Sequence, residues 1–244
     1  MNQGLQEKLK FCRLSGMVKH YEELLEQAKK DDLSYEDFFL TLLDHEVANR
    51  EENRFQRLLK SAKFPTLKTI DTFEFNEAPF LSKKEVMGLF DCDFIDHKTN
   101  LLFIGPPGTG KTHIALSLGV KACQLGKSVA FFTAASLGNL LCEMEDDQQL
   151  SKFLKKLKKV DFVIIDELGY VKLSNQVTQL LFQVFSEKYE KGSICITTNL
   201  EFSNWTSIFQ DEKMTAAILD RLVQNSKILT FNGESYRYKQ KKKP

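Results

Sequence analysis

The sequence predicts an α/β protein, a three-layer arrangement in which helices cover both faces of a parallel sheet, preceded by a small all-helical domain. Three observations carry that prediction. Short apolar runs alternate with helical stretches from residue 82 onward. Continuous apolar strands interleaved with helices belong to parallel sheets buried on both sides. The first such run opens into a glycine-rich loop and then a helix. Finally, residues 1–63 hold no proline, and glycine only at Gly4 and Gly16. The divisions expected are a helical domain over 1–64, a linker over 65–81 and the α/β domain over 82–244.

Each element has a local reason. Leu5, Leu9, Leu14, Met17 and Val18 fit one helix or a broken pair, and Tyr21, Leu24, Leu25 and Ala28 continue at helical spacing. Asp31-Asp32 interrupts the pattern, and Ser34-Tyr35-Glu36-Asp37 reads as an N-cap with an acidic first turn. Phe38, Phe39, Leu42, Leu43 and Val47 then form an apolar stripe, which either packs within the helical domain or docks a partner or DNA. Phe64-Pro65 should end that helix. Residues 65–80 read as extended chain, with Phe73 and Phe75 placed to pack on the core. Ser82-Lys83-Lys84-Glu85 is a capping box for a short helix. Strands are expected at 101–104, 128–132, 161–166, 193–197 and 227–231. Helices are expected near 111–124, 136–145, 150–159, 175–190 and 214–225.

Composition excludes several classes. An apolar fraction of 42% with 27% charged residues is ordinary for a soluble globular chain. A net charge of +1 gives no global attraction to nucleic acid, so such contacts would need local patches. The five cysteines are scattered without a C-x-x-C pair, which points to reduced thiols in a cytoplasmic protein. Neither a secretory leader nor a run long enough to span a bilayer is present, so no membrane role is expected.

The chemistry starts at Gly105-Pro106-Pro107-Gly108-Thr109-Gly110-Lys111-Thr112. It fits the phosphate-binding pattern G-x-x-x-x-G-K-[ST] between a strand and a helix, the context the motif requires. Glycines let successive N–H groups curl around an anion, and the helix N-terminus adds a positive dipole. Lys111 supplies a point charge for β- and γ-phosphates. Thr112 offers a hydroxyl to Mg²⁺, a cation that prefers oxygen ligands. Phe162-Val163-Ile164-Ile165-Asp166-Glu167 is an apolar strand ending in two acids. Asp166 would help hold Mg²⁺, and Glu167 would polarise an attacking water. Two adjacent acids favour hydrolysis over phosphoryl transfer to a small acceptor.

Three further features remain open between chemistry and plain structure. Asn199, after Ile194-Cys195-Ile196-Thr197-Thr198, either bonds the γ-phosphate or attacking water or is a turn residue. Arg221 is either half of an exposed pair with Asp220 or an arginine finger reaching a neighbouring copy's ATP. Lys152, Lys155, Lys156, Lys158 and Lys159 surround the apolar face of Leu150, Phe153, Leu154 and Leu157. That lysine surface is either solvated or contacts DNA phosphates, for which Lys152, Lys155, Lys156 and Lys159 are the candidates.

Together these residues resemble the AAA+ ATPases, and within them the IstB-like transposition helpers and the related DnaC-type helicase loaders. The resemblance covers nearly the whole chain. It rests on Leu14-Ser15-Gly16-Met17, Ala62-Lys63-Phe64-Pro65, the loop Gly105 to Thr112 and Asp166-Glu167-Leu168-Gly169-Tyr170. It rests also on Thr197-Thr198-Asn199-Leu200, Leu219-Asp220-Arg221-Leu222 and the ending Phe231-Asn232-Gly233-Glu234-Ser235-Tyr236-Arg237, which is most like the transposition helpers. The resemblance implies an AAA+ core without a C-terminal lid, ATP and Mg²⁺ as cofactors, and an ATP-dependent oligomer on duplex DNA. It also implies recruitment and stimulation of a transposase encoded by the same insertion element. By residue it implies phosphate and metal binding at Lys111 and Thr112, metal and water roles for Asp166 and Glu167, γ-phosphate sensing by Asn199 and action in trans by Arg221. A sensor role for Arg237 stays open. The rival implication is helicase loading, and a small-molecule kinase is a third class.

Overall fold

The computed structural model describes residues 1–236 and residue 238. Arg237, whose sensor role the resemblance leaves open, and residues 239–244 lie outside the described residues.

The chain divides into two compact units, Met1–Arg57 and Leu58–Pro244. The first holds helices α1 (Gln3–Phe11) and α2 (Ser15–Lys30) and most of α3 (Tyr35–Ala62). The amino-terminal pattern is therefore a broken pair, with Arg13 in the left-handed region at the break. Gly16 is needed there because a Cβ would lie 2.7 Å from the carbonyl oxygen of His45. That close approach lets Glu46 of α3 reach the start of α2. Its buried carboxylate accepts the N–H groups of Gly16 at 2.6 Å and Met17 at 3.3 Å, and Arg50 donates to it at 2.7 Å. Burial pushes the Glu46 carboxyl up, but these hydrogen bonds outweigh it and hold the group below its ordinary range. Met17, Leu24 and Leu42 form the small core, with Leu9, Leu14, Tyr21 and Phe38 packed around it. The expected apolar stripe of α3 splits: Phe38 and Leu42 turn inward, whereas Phe39, Leu43 and Val47 stay exposed. Ser34 caps α3, its hydroxyl accepting the Asp37 N–H at 3.1 Å.

The second unit begins in the last turn of α3. After Lys63, itself left-handed, residues 65–80 carry two short 3₁₀ turns, Ile70–Thr72 and Phe75–Glu77, rather than the continuous extended chain expected. Next come α4 (Lys83–Met87), capped by Ser82 as predicted, and α5 (Asp93–Asp96). The core then alternates β1 (Asn100–Ile104), α6 (Lys111–Gln124), β2 (Val129–Thr133), α7 (Ala134–Asp146) and α8 (Leu150–Lys158). It continues with β3 (Phe162–Leu168), α9 (Asn175–Lys188), β4 (Ser193–Thr198), α10 (Thr206–Phe209), α11 (Glu212–Val223) and β5 (Ser226–Thr230).

The five strands form one parallel sheet in the order β2-β3-β4-β1-β5. Alternate residues serve opposite faces. Leu102, Val163, Ile165, Ile194 and Ile196 join the core built from α7 to α11. On the other side, a Cβ on Gly119 of α6 would lie 2.9 Å from Ile164, so α6 covers the second face closely. All of β1 is buried, which explains its unbroken apolar run. Because the strands are parallel and aligned, β1, β3 and β4 deliver their carboxyl ends to one edge of the sheet. Ligands of open α/β sheets bind at that edge.

Candidate active site

The loop between β1 and α6 follows the sheet edge as the motif predicts. Gly105, Gly108 and Gly110 all have positive φ, at 150°, 78° and 101°. Each is also pressed from outside: a Cβ would overlap Phe231 at Gly105 and Ser235 at Gly108, and would lie 2.6 Å from the Phe73 ring at Gly110. Lys111 donates from Nζ to the carbonyl oxygens of Gly105 at 2.5 Å and Pro106 at 2.7 Å. Burial pulls its ammonium down to about 8, against the opposing charge of Asp166. A phosphate oxyanion in the loop would supply the charge that this ammonium lacks.

The acids sit beside the loop. Asp166 is buried near the end of β3, opposite Thr133 of β2, and its Oδ1 accepts from the Thr112 hydroxyl at 2.9 Å. The same oxygen accepts from the Thr197 hydroxyl of β4. Thr197 Oγ1 in turn accepts the Glu167 N–H at 3.0 Å. Between Ile165 and Leu168 the β3–β4 register breaks. Glu167 adopts φ 63° there and stands exposed beside buried Asp166. The irregularity re-aims one side chain out of the strand, as such defects commonly do near active sites. Neighbouring acids thus take different environments: one is buried against two hydroxyls, the other faces the cavity.

That cavity holds about 380 Å³, within the usual size for a small-molecule site. The phosphate loop forms its floor, and Glu167, Thr197 and Tyr170 line it. Further lining comes from the segment expected to be only a linker, including Lys68, Phe73 and Glu77. This segment is tied to the residue after the loop: His113 Nε2 lies 3.0 Å from the Thr69 carbonyl oxygen and 3.2 Å from the Thr72 hydroxyl. Phe73 meets the His113 ring edge-on at 5.3 Å. Glu234 and Tyr236 also line the cavity.

The structure thus brings together Gly105 to Thr112, Asp166 and Glu167 of the expected site. It does not bring in Asn199 or Arg221. Asn199 Oδ1 is buried without a hydrogen-bond partner among the described residues, close to Gly169, and its residue is not on the cavity wall. Arg221 is half-buried rather than exposed. Its guanidinium lies 4.6 Å above the Phe182 ring and donates to the Ala217 carbonyl at 2.8 Å. It lines a second cavity with Asn100 and Ile194, at the amino ends of β1 and β4. The arginine therefore sits at the amino end of the sheet, roughly 15 Å of strand away from the loop at the carboxyl end. Lys152, Lys155, Lys156 and Lys159 are all exposed, and Leu157 of the same helix is buried, as expected.

Sequence reasoning missed Thr197, Phe73, His113 and Ser235 as parts of the site. Thr197 stands in the right strand, but with Thr198 beside it only its buried hydroxyl marks it out.

The oxygen donors present suit Mg²⁺: the Thr112 hydroxyl and the Asp166 carboxylate lie within one hydrogen bond of each other beside the phosphate loop.

The family model of IstB-like ATP-binding proteins matches residues 7–244. The chain belongs to that family. It is 37% identical over 242 residues to the protein named for ATP binding in insertion sequence IS5376 of Geobacillus stearothermophilus, covering 99% of this chain and 96% of that one. A counterpart in insertion sequence IS21 of Pseudomonas aeruginosa is 36% identical over 239 residues, covering 98% and 90%. Among solved structures, the DnaC helicase loader aligns with a TM-score of 0.52 at 21% identity, over 72% of this chain and 98% of that one. AMPPCP-bound DnaA from Aquifex aeolicus aligns at 0.58 and 17% identity, over 72% and 54%. At those identities the likeness shows the fold alone, and this IstB-like chain has the AAA+ phosphate-loop fold. ATP is the nucleotide its family is named for. No helix among the described residues is long and apolar enough to cross a membrane.

Proposed function

We propose that this chain is an ATP-hydrolysing accessory factor of insertion-element transposition. It assembles on duplex DNA, recruits and stimulates the transposase of its element, and uses hydrolysis to control disassembly. The observation that carries this reading is the match of an insertion-sequence ATP-binding family along nearly the whole chain, joined to a cavity floored by a phosphate loop and flanked by an acid pair.

Within that reading each residue has a task. The loop N–H groups and Lys111 grip the phosphates. Thr112 and Asp166 hold Mg²⁺, which when bound neutralises phosphate charge. Glu167 takes a proton from the attacking water, and Thr197 fixes the two acids relative to each other. Asn199, with its orphaned oxygen, can serve the γ-phosphate only after turning toward the cavity. Arg221 stands at the wrong end of its own sheet, so its role requires the ATP of another copy. The lysines of α8 offer a phosphate-binding surface, and the exposed Phe39 and Val47 of α3 offer a docking face for a partner protein.

Binding to random duplex and to single-stranded DNA, with and without ATP across a salt series, tests the proposal. ATP-dependent duplex binding should weaken with salt, with a log–log slope of roughly −4 if the four candidate lysines each contact a phosphate. Preference for single strands would instead assign helicase loading. Absence of DNA binding would return the chain to small-molecule phosphoryl transfer.

A further inference from the structure

The three loop glycines are pressed from outside by chain that the motif does not contain. Two of the three contacts come from one short segment after β5. Phe231 N–H donates to the Ile104 carbonyl at 2.7 Å, which continues the β1–β5 pairing one residue into the loop. Gly105 follows at once, packed so closely on Phe231 that a Cβ would overlap it. The segment then runs along the loop. Gly233 packs against the Phe80 ring, Ser235 packs against Gly108, and the Tyr236 N–H donates to the Gly108 carbonyl at 2.9 Å. Phe231 is fully buried between Phe103 and Phe80, with ring centroids 5.5 and 6.3 Å away.

This arrangement has a directional consequence. A loop that cradles phosphate must turn its N–H groups inward and its carbonyls outward. An outward carbonyl needs a partner, or it will compete to turn back. Thr109 bonds the Pro106 carbonyl from its hydroxyl at 2.9 Å. Gly108 has φ 78° and no side chain to hold it. Its carbonyl is held by the main chain of Tyr236.

We infer that residues 231–236 are a brace for the phosphate loop, and that the Tyr236 main-chain N–H is a positioning group that acts on ATP through the Gly108 carbonyl. The inference rests on the ATP-binding reading of the cavity. Tyr236 itself also lines the cavity, so the test must separate its side chain from the N–H.

Proline substitution does so. Residues 236 and 238 are helical and the Ser235 carbonyl accepts the Tyr238 N–H at 3.1 Å, so residue 236 occupies a first-turn position where proline is tolerated. Tyr236→Pro removes ring and donor, whereas Tyr236→Ala removes only the ring. The affinities of full-length wild type and both variants for ATP and for AMP are measured by calorimetry or competition. Tyr236→Pro should bind ATP roughly five- to ten-fold more weakly than Tyr236→Ala, the effect of one hydrogen bond. AMP, which does not reach the β- and γ-phosphate end, should lose less than two-fold between the same variants. Equal ATP affinities in the two variants would assign any loss to the ring and overturn the inference, as would equal losses for ATP and AMP. If Tyr236→Pro does not fold, Ser235→Leu crowds Gly108 while leaving the donor in place. It should show the same ATP-selective loss relative to Ser235→Ala, and unchanged ATP affinity would overturn the brace. Failure of wild type to bind ATP would instead refute the nucleotide reading itself.

Discussion

Replacing Thr197 by valine removes one hydroxyl and keeps the shape of the side chain. Thr197 is buried, with 1% of its surface exposed, so water cannot replace what is lost. Two hydrogen bonds disappear: the one it donates to the Asp166 carboxylate and the one it accepts from the Glu167 N–H. A neutral bond contributes about 1 kcal/mol and one to a charged group about 1.5–3 kcal/mol, so the loss should be about 2–4 kcal/mol. Thr112 still bonds Asp166, which keeps the cost toward the lower end. For a domain of this size the melting temperature should fall by roughly 5–10 °C. The larger effect should be catalytic. The Glu167 N–H is anchored by this hydroxyl where the strand register breaks, and a carboxylate displaced by about 1 Å can cost about 10²-fold in rate. ATP affinity should change little, because the phosphate loop is untouched. Differential scanning fluorimetry, ATP titration and steady-state phosphate release give the three numbers. Unchanged melting and unchanged turnover together would refute the claim that Thr197 holds the acid pair.

Other expectations follow from the same geometry. Glu167→Gln should keep ATP binding and lower turnover by at least about 10²-fold, trapping an ATP-bound assembly visible by size-exclusion chromatography; near-normal phosphate release would remove Glu167 from catalysis. Arg221→Ala should bind ATP normally yet hydrolyse it slowly, and mixing it with Lys111→Ala protomers should restore part of the rate. A mixture as inactive as its components would exclude action across an interface. Lys188 is buried and its ammonium is pulled down to about 8 by desolvation. The unfolded chain then binds more protons than the folded one between about pH 8 and the ordinary lysine value. Stability should therefore rise above pH 8, by roughly 1 kcal/mol per such lysine up to pH 9. Beyond pH 9 the buried thiols of Cys92 and Cys123, raised to about 11 and 12, work in the opposite direction. Lys188→Met should flatten the rise between pH 8 and 9 in urea denaturation, and an unaltered slope would exclude Lys188 as its source.

The sheet was legible because its inner strands are continuous apolar runs, and a run such as Phe162 to Ile165 has no other stable place. Boundaries moved where a cap decided them. α7 starts at Ala134 rather than 136 because Thr133 and Ser136 cap each other's backbone, and α11 starts at Glu212 because Asp211 caps it. The phosphate loop was legible because its chemistry is contiguous. Thr197, Phe73 and Ser235 were not, because each acts on residues far away in sequence and only strand register and packing bring them together. The reading of residues 65–80 as a linker followed its composition. What composition could not give is that His113 ties this segment down beside the loop. Helical spacing alone puts Arg221 at the surface, and the Phe182 ring that half-buries it comes from another helix.

Glu167 occupies a backbone conformation that glycine adopts freely and other residues adopt at a cost of about 1–2 kcal/mol. Thermodynamic pressure at this position therefore points toward losing the side chain. A laboratory selection for heat resistance alone would enrich glycine at 167, and the survivors would still fold and still hold nucleotide. Such clones would look improved by every assay except phosphate release. The carboxylate can be kept only by selection on what the protein does with ATP, and residue 167 is the position at which robustness and turnover should separate first.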